Sequence, residues 1–209
     1  MLPPIIPIFP LPNVVLFPGV FLPLHVFEPR YRTMTRESLS GDRIIGISLL
    51  KPGFESDYDG RPPIYEIGCA GVISQSQRTP DGCYNIVLHG LERYRVESEL
   101  EGGAYRRARV ESLPELVGDA QRQLIRAERP RIESLLLTAL KASDVQIPDT
   151  LSDEDLVHAL CQYLDFQPAE RQALIECDGP VARCRALAEL LEMQALLARH
   201  AGQGPREVH

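Results

Sequence analysis

The chain has 209 residues, 44% of them apolar and 24% charged, with a net charge of −7. That length and balance suit an ordinary globular protein of one large or two small domains, able to bury roughly 70% of its unfolded surface. The acidic excess provides no general field to attract nucleic acid or anionic lipid.

The first 27 residues (MLPPIIPIFPLPNVVLFPGVFLPLHVF) contain no Lys, Arg, Asp or Glu, yet seven are proline. Each proline removes a backbone donor and clashes with the preceding helical turn, so no membrane-spanning helix survives that spacing. No basic leader precedes the apolar run, which argues against a signal peptide. The segment therefore reads as three buried, extended pieces, Ile5–Phe9, Asn13–Phe17 and Phe21–Val26, and the protein as soluble. Glu28–Leu39 follows as an amphipathic helix with Gly41 just past its end. Ile44–Leu50 is a short continuous apolar run, which suits a buried strand. Lys51–Pro63, rich in Gly, Pro and Asp, reads as a surface loop.

Ile64–Gln77 and Gly82–Gly90 flank Thr79-Pro80-Asp81-Gly82, a type I turn signal. Glu92–Glu99 and Tyr105–Ser112 form a second expected hairpin around Gly102-Gly103. Gly68, Gly71 and Gly90 within such long strands suggest a sheet bent into a small barrel. After Pro114 only helical signals remain: Asp119–Ala142, interrupted by Pro130, then Leu156–Leu164, Pro168–Cys177 and Pro180–His200. Ser152 is the expected N-cap of the second of these. In the last, Leu187, Leu190, Leu191, Ala195 and Leu197 make the apolar stripe. The expected layout is a β-rich domain at 1–114, a helical subdomain at 115–202 and a flexible tail at 203–209.

The five cysteines, Cys69, Cys83, Cys161, Cys177 and Cys184, are scattered and odd in number, which fits a reducing cytoplasm. In the expected hairpin Cys69 falls opposite Tyr94 or Glu92, depending on the turn. Either register keeps it well out of bonding range of Cys83.

Pro10–Tyr31 (PLPNVVLFPGVFLPLHVFEPRY) resembles the N-terminal domain of Lon proteases. Tyr65–Gly71 (YEIGCAG) and Pro80–Tyr94 (PDGCYNIVLHGLERY) resemble a strand pair of the same family. The resemblance implies an α+β protein: a PUA-like β pseudo-barrel followed by a C-terminal helical bundle. It also implies recognition of unfolded or tagged protein clients, with a separate protease as a further partner. A full Lon protease continues into an ATPase and a serine-lysine protease domain. Here the only lysines, Lys51 and Lys141, lie outside any Gly-Lys-Ser/Thr phosphate loop. Neither position suits the desolvated lysine of a Ser–Lys pair. The expectation is a stand-alone recognition module with no catalysis and no cofactor.

Glu28, Arg30, Tyr31 and Arg93 are candidates for the rim of a peptide groove or for an ionic lock, with Glu28 accepting from an arginine. Dense apolar surroundings favour the lock, because buried charges must be paired. Phe17, Phe54 and Tyr58 are the candidate exposed aromatics for gripping a client. Arg93, Arg95, Arg106, Arg107 and Arg109 argue for RNA, and PUA-like folds bind RNA in other families. Glu92, Glu97, Glu99, Glu101 and Glu111 in the same segment cancel their field, so nucleic acid is a poor partner and cross-strand ion pairs are expected. His158 and Cys161, near Cys177 and Cys184, lack a close Cys-x-x-Cys pair for zinc. Cys83 and His89 are ~20 Å apart along a strand, which defeats a cysteine hydrolase.

Overall fold

The computed structural model describes residues 2–53, 60–140 and 151–201. Among the described residues it is an α+β structure of six strands in one sheet and five helices. In chain order these are β1 (Ile5–Leu11), β2 (Phe21–Val26), α1 (Pro29–Ser40), β3 (Ile44–Leu49), β4 (Ile67–Arg78), β5 (Tyr84–Glu99) and β6 (Arg107–Leu113). The helices α2 (Asp119–Leu140), α3 (Asp153–Tyr163), α4 (Pro168–Glu176) and α5 (Gly179–Ala201) follow. Two compact units are present: Met1–Glu115 with His158–Glu176, and Leu116–Val157 with Cys177–His209. His158–Glu176 therefore belongs with the sheet, whereas the sequence assigns all four later helical stretches to a second domain.

In the first unit the strand pairings return on themselves. β1 runs parallel to β3 and antiparallel to β6, β3 pairs with β4, β4 with β5, and β5 with β6. β2 lies outside this circuit and pairs with the first half of β5, from Phe21↔His89 to Val26↔Tyr84. The second half of β5 pairs with β6, from Arg93↔Leu113 to Glu99↔Ala108. One 16-residue strand thus serves two partners along one side, where the sequence suggests a break near Gly90. Proline is admitted to β1 because its neighbours are staggered. Pro7 pairs with Arg107 of β6 and Pro10 with Ser48 of β3, so each sits where the ladder is one-sided and its absent N–H costs little.

Asn13–Phe17 is not a strand. Val15, Leu16 and Phe17 are buried, but the backbone there is satisfied by other means. The Phe17 N–H donates to Gln162 Oε1 at 3.2 Å, and the Gly90 N–H is held by the Val20 carbonyl at 2.8 Å. Gly90 is required at that crossing, since a Cβ would lie 2.0 Å from the Phe17 carbonyl oxygen.

The β4–β5 register places Cys69 opposite Arg93, not Tyr94 or Glu92. That register is set by the loop joining Arg78 to Tyr84, because irregularities at Ile73/Gln75 and Ala70/Gly71 shift the pairing in opposite senses and cancel. None of the five cysteines forms a disulfide.

α1 begins at Pro29, with Glu28 extended in front of it, as proline at the first helical position favours. It buries Tyr31, Met34, Thr35 and Ser38, the i, i+3, i+4, i+7 stripe of a helix laid on a core. Two apolar clusters fill the unit. One joins Met34 and Tyr31 of α1 to Phe9, Leu22, Val26, Ile45, Ile73, Ile86 and Leu88. The other surrounds Tyr94 with Ile6, Ile8, Ala70, Ala108 and Val110.

In the second unit α2 packs along α5. Ile125, Ile132 and Leu136 are buried on α2, and Cys184, Leu187, Ala188, Leu191 and Ala195 on α5. Leu197, expected in that stripe, is 64% exposed. Ser152 caps α3: its Oγ accepts from the Asp155 N–H at 3.0 Å while its hydroxyl donates to the Asp155 carboxylate at 2.6 Å. No helix among the described residues is long and apolar enough to cross a membrane.

Candidate functional site

β2 alternates strictly: Leu22 and Val26 face the core, while Phe21, Pro23 and His25 face solvent. Among the described residues β2 has β5 as its only strand neighbour, so it is an edge strand. Phe27, just beyond its end, extends the outward row. Phe21 is 51% and Phe27 62% exposed, large values for side chains that folding usually hides. Their rings are held in place. Phe21 stacks on His89 with centroids 4.6 Å apart, and Phe27 stacks on His25 at 6.1 Å. His25 Nδ1 is hydrogen-bonded to Asn85 Oδ1 at 2.7 Å. Tyr163 of α3, itself 64% exposed, donates its hydroxyl to the Phe21 carbonyl at 2.8 Å.

The outward positions of β5 and β4 continue this face. Val87 and Asn85 lie opposite Pro23 and His25, and Gln75 and Gln77 lie opposite Val87 and Asn85. Together they line a shallow depression of about 410 Å³. None of these side chains is Asp, Glu, Lys or Arg. The surface offers rings, a proline, one valine and side-chain amides: broad apolar contact with adaptable hydrogen-bonding groups around it.

The residues singled out in the sequence fall elsewhere. Phe17, expected as an exposed aromatic, is fully buried. It packs beside His158 with ring centroids 6.5 Å apart, so it supports the core instead of offering a surface. Phe54 and Tyr58 lie outside the described residues. Glu28 and Arg30 form an ion pair of 2.9 Å at partial exposure, and the Arg30 guanidinium sits 4.7 Å from the Tyr31 ring centroid. Tyr31 itself is buried against Phe9, centroids 4.3 Å apart.

Arg93 pairs with a carboxylate outside the group of Glu28, Arg30 and Tyr31. Its Nε is 2.6 Å from Glu115 Oε1, both side chains being 9% exposed, and its Nη1 donates to the Ile175 carbonyl at 3.0 Å. His158 Nε2 lies 3.7 Å from the same carboxylate. Arg95 meets Glu111 at 2.8 Å across the strands, and Arg106 Nε donates to Glu99 at 2.8 Å. Those glutamates neutralise much of the arginine cluster locally.

Sequence reasoning missed Phe21, Phe27, His25, His89 and Tyr163. The alternation in Phe21-Leu22-Pro23-Leu24-His25-Val26-Phe27 was the available signal, because a charge-free edge strand can still turn one face outward.

Comparison with known proteins agrees with this architecture. The ATP-dependent protease La (LON) substrate-binding domain matches residues 5–193. A Lon protease from Cytophaga hutchinsonii is 25% identical over 197 residues, covering 91% of this chain and 24% of the relative. One from Dictyoglomus thermophilum is 36% identical over 117 residues, covering 56% of this chain and 14% of that protein. The chain thus spans about a quarter or less of the curated relatives it matches. The N-terminal domain of Mycobacterium avium complex Lon protease superposes with a TM-score of 0.67 at 17% identity, over 90% of this chain and 98% of that one. A Lon N-terminal domain protein from Xanthomonas campestris gives 0.59 at 23% identity, covering 90% and 97%. These solved structures share the fold, and the match across residues 5–193 makes the chain a member of the LON substrate-binding domain family.

Proposed function

We propose that this chain is a polypeptide-recognition module which takes hold of unfolded or tagged protein clients and performs no catalysis itself. The observation that carries this reading is the uncharged aromatic face of β2, with Phe21 and Phe27 more than half exposed beside a depression lined by Pro23, Val87 and side-chain amides. Apolar contact of this kind is tolerant of client sequence, as a binder of many unfolded chains requires. Family membership supports the choice of a polypeptide as occupant. The strand circuit of β1, β3, β4, β5 and β6 is read as a PUA-like pseudo-barrel that carries this face. Five cysteines without a disulfide fit a cytoplasmic setting.

The test is binding of a fluorescent, carboxymethylated and permanently unfolded protein, followed by anisotropy. The expected result is micromolar binding that falls at least fivefold when Phe21 and Phe27 are both changed to Ser. Unchanged affinity in that variant overturns the reading. Adding a separate protease then distinguishes an adaptor, which speeds client degradation, from a holdase, which slows it.

A further inference from the structure

The backbone of β2 determines how a client is held there. The Val20 carbonyl accepts from the Gly90 N–H at 2.8 Å and so faces β5. Backbone groups alternate sides along a strand, which turns those of Phe21, Pro23 and His25 toward the free edge. At one end the Phe21 carbonyl accepts the Tyr163 hydroxyl at 2.8 Å. In the middle Pro23 has no N–H. What remains is a broken row of donors and acceptors, the arrangement with which natural sheets discourage pairing with another strand. The side chains of the same residues make the opposite offer, an uninterrupted uncharged surface from Phe21 to Phe27 flanked by His89, Val87 and Asn85.

The geometry points to clients being recognised by their side chains laid across the β2–β5–β4 face, and not by addition of a client strand to the β2 edge. This rests on the polypeptide-binding reading of the same face. The lining carries no Asp, Glu, Lys or Arg to pair with a client charge, so acidic residues within the bound segment weaken binding. Side-chain recognition also makes binding insensitive to the client's backbone N–H groups, which strand addition would require.

The experiment uses the full chain and three peptides of about ten residues. The first alternates Phe and Leu with Gln, the second is the same peptide N-methylated at alternate residues, and the third has two Leu changed to Asp. Side-chain recognition predicts that N-methylation changes the dissociation constant by less than threefold and that Asp weakens it at least tenfold. A loss of threefold or more on N-methylation overturns the inference while leaving the face as the binding site. Failure of the first peptide to bind, or binding indifferent to Phe27→Ser, overturns the underlying reading and this inference with it.

Discussion

Tyr94 and Ser48 share a hydrogen bond of 2.8 Å between their hydroxyls, both side chains wholly enclosed by the sheet. Burial pushes the Tyr94 phenol far above its usual range, so it stays neutral. Two glycines make room for it. A Cβ on Gly46 would lie 2.7 Å from the Tyr94 hydroxyl, and one on Gly68 would lie 2.3 Å from the Ile47 carbonyl oxygen. Tyr94→Phe strands the Ser48 hydroxyl and is expected to cost about 1–3 kcal/mol. Gly68→Ala is expected to cost on the order of 3 kcal/mol. Urea unfolding followed by circular dichroism checks both.

The Arg93–Glu115 pair is expected to behave as a buried ion pair. Glu115→Ala leaves the guanidinium without its carboxylate and should cost about 3–5 kcal/mol. Replacing both partners, Arg93→Met with Glu115→Leu, should recover most of that loss, since the desolvation penalty of both ions disappears. A double variant as unstable as Glu115→Ala would mean that Arg93 stabilises chiefly through contacts other than Glu115, such as the Ile175 carbonyl at 3.0 Å.

The exposed rings are expected to contribute little to folding. Phe27→Ser removes a side chain that is 62% exposed, and its unfolding free energy should stay within about 0.5 kcal/mol of the parent. Ile86→Ala, one strand away but buried, should lose about 2–5 kcal/mol. The contrast, measured by denaturant titration, separates the binding face from the core beneath it.

Asp81 should produce an acid-dependent loss of stability. The Thr79 hydroxyl and then the Cys83 N–H hold its carboxyl down to about 2, from 3.8. A carboxyl lowered in the folded state favours folding when ionised, so its contribution is complete above about pH 4 and fades as pH falls toward about 2. Asp81→Asn removes this dependence. Its urea midpoint should vary less between pH 4 and pH 2 than that of the parent.

Cys184 should resist alkylation. Burial pushes its thiol up to about 11, and it is 1% exposed, so little thiolate is accessible at pH 8. Iodoacetamide labelling read by mass spectrometry should modify the half-buried Cys177 well before Cys184, unless denaturant is added.

Much of the fold was legible where a local pattern and the tertiary environment agree. The prolines of the opening segment excluded a helix, and β1 and β2 lie within the first and third of the expected stretches or extend them slightly. The amphipathic pattern of Glu28–Leu39, with Gly41 just past its end, identified α1. Asn13–Phe17 failed because hydrophobicity reports burial but not ladder pairing: Phe17 is buried with its N–H on a glutamine side chain 145 residues away. Cys69 failed because the loop joining Arg78 to Tyr84 is longer than the two turns weighed from the sequence; the two irregularities shift the β4–β5 register in opposite senses and cancel before Cys69. The candidate site was the least legible part. Absence of charge reads as core, and the alternation along Phe21–Val26, which turns Phe21 outward, went unused.

Closure of the strand circuit has a consequence for biosynthesis. Ile5, Ile6 and Pro7 find their β6 partners at Arg109, Ala108 and Arg107, so β1 leaves the ribosome about a hundred residues before its sheet can be completed. Pairings this distant in sequence fold slowly, and meanwhile the apolar β1 segment lies open to aggregation. A newly made copy therefore exposes, for a time, the kind of segment that the mature protein is proposed to hold.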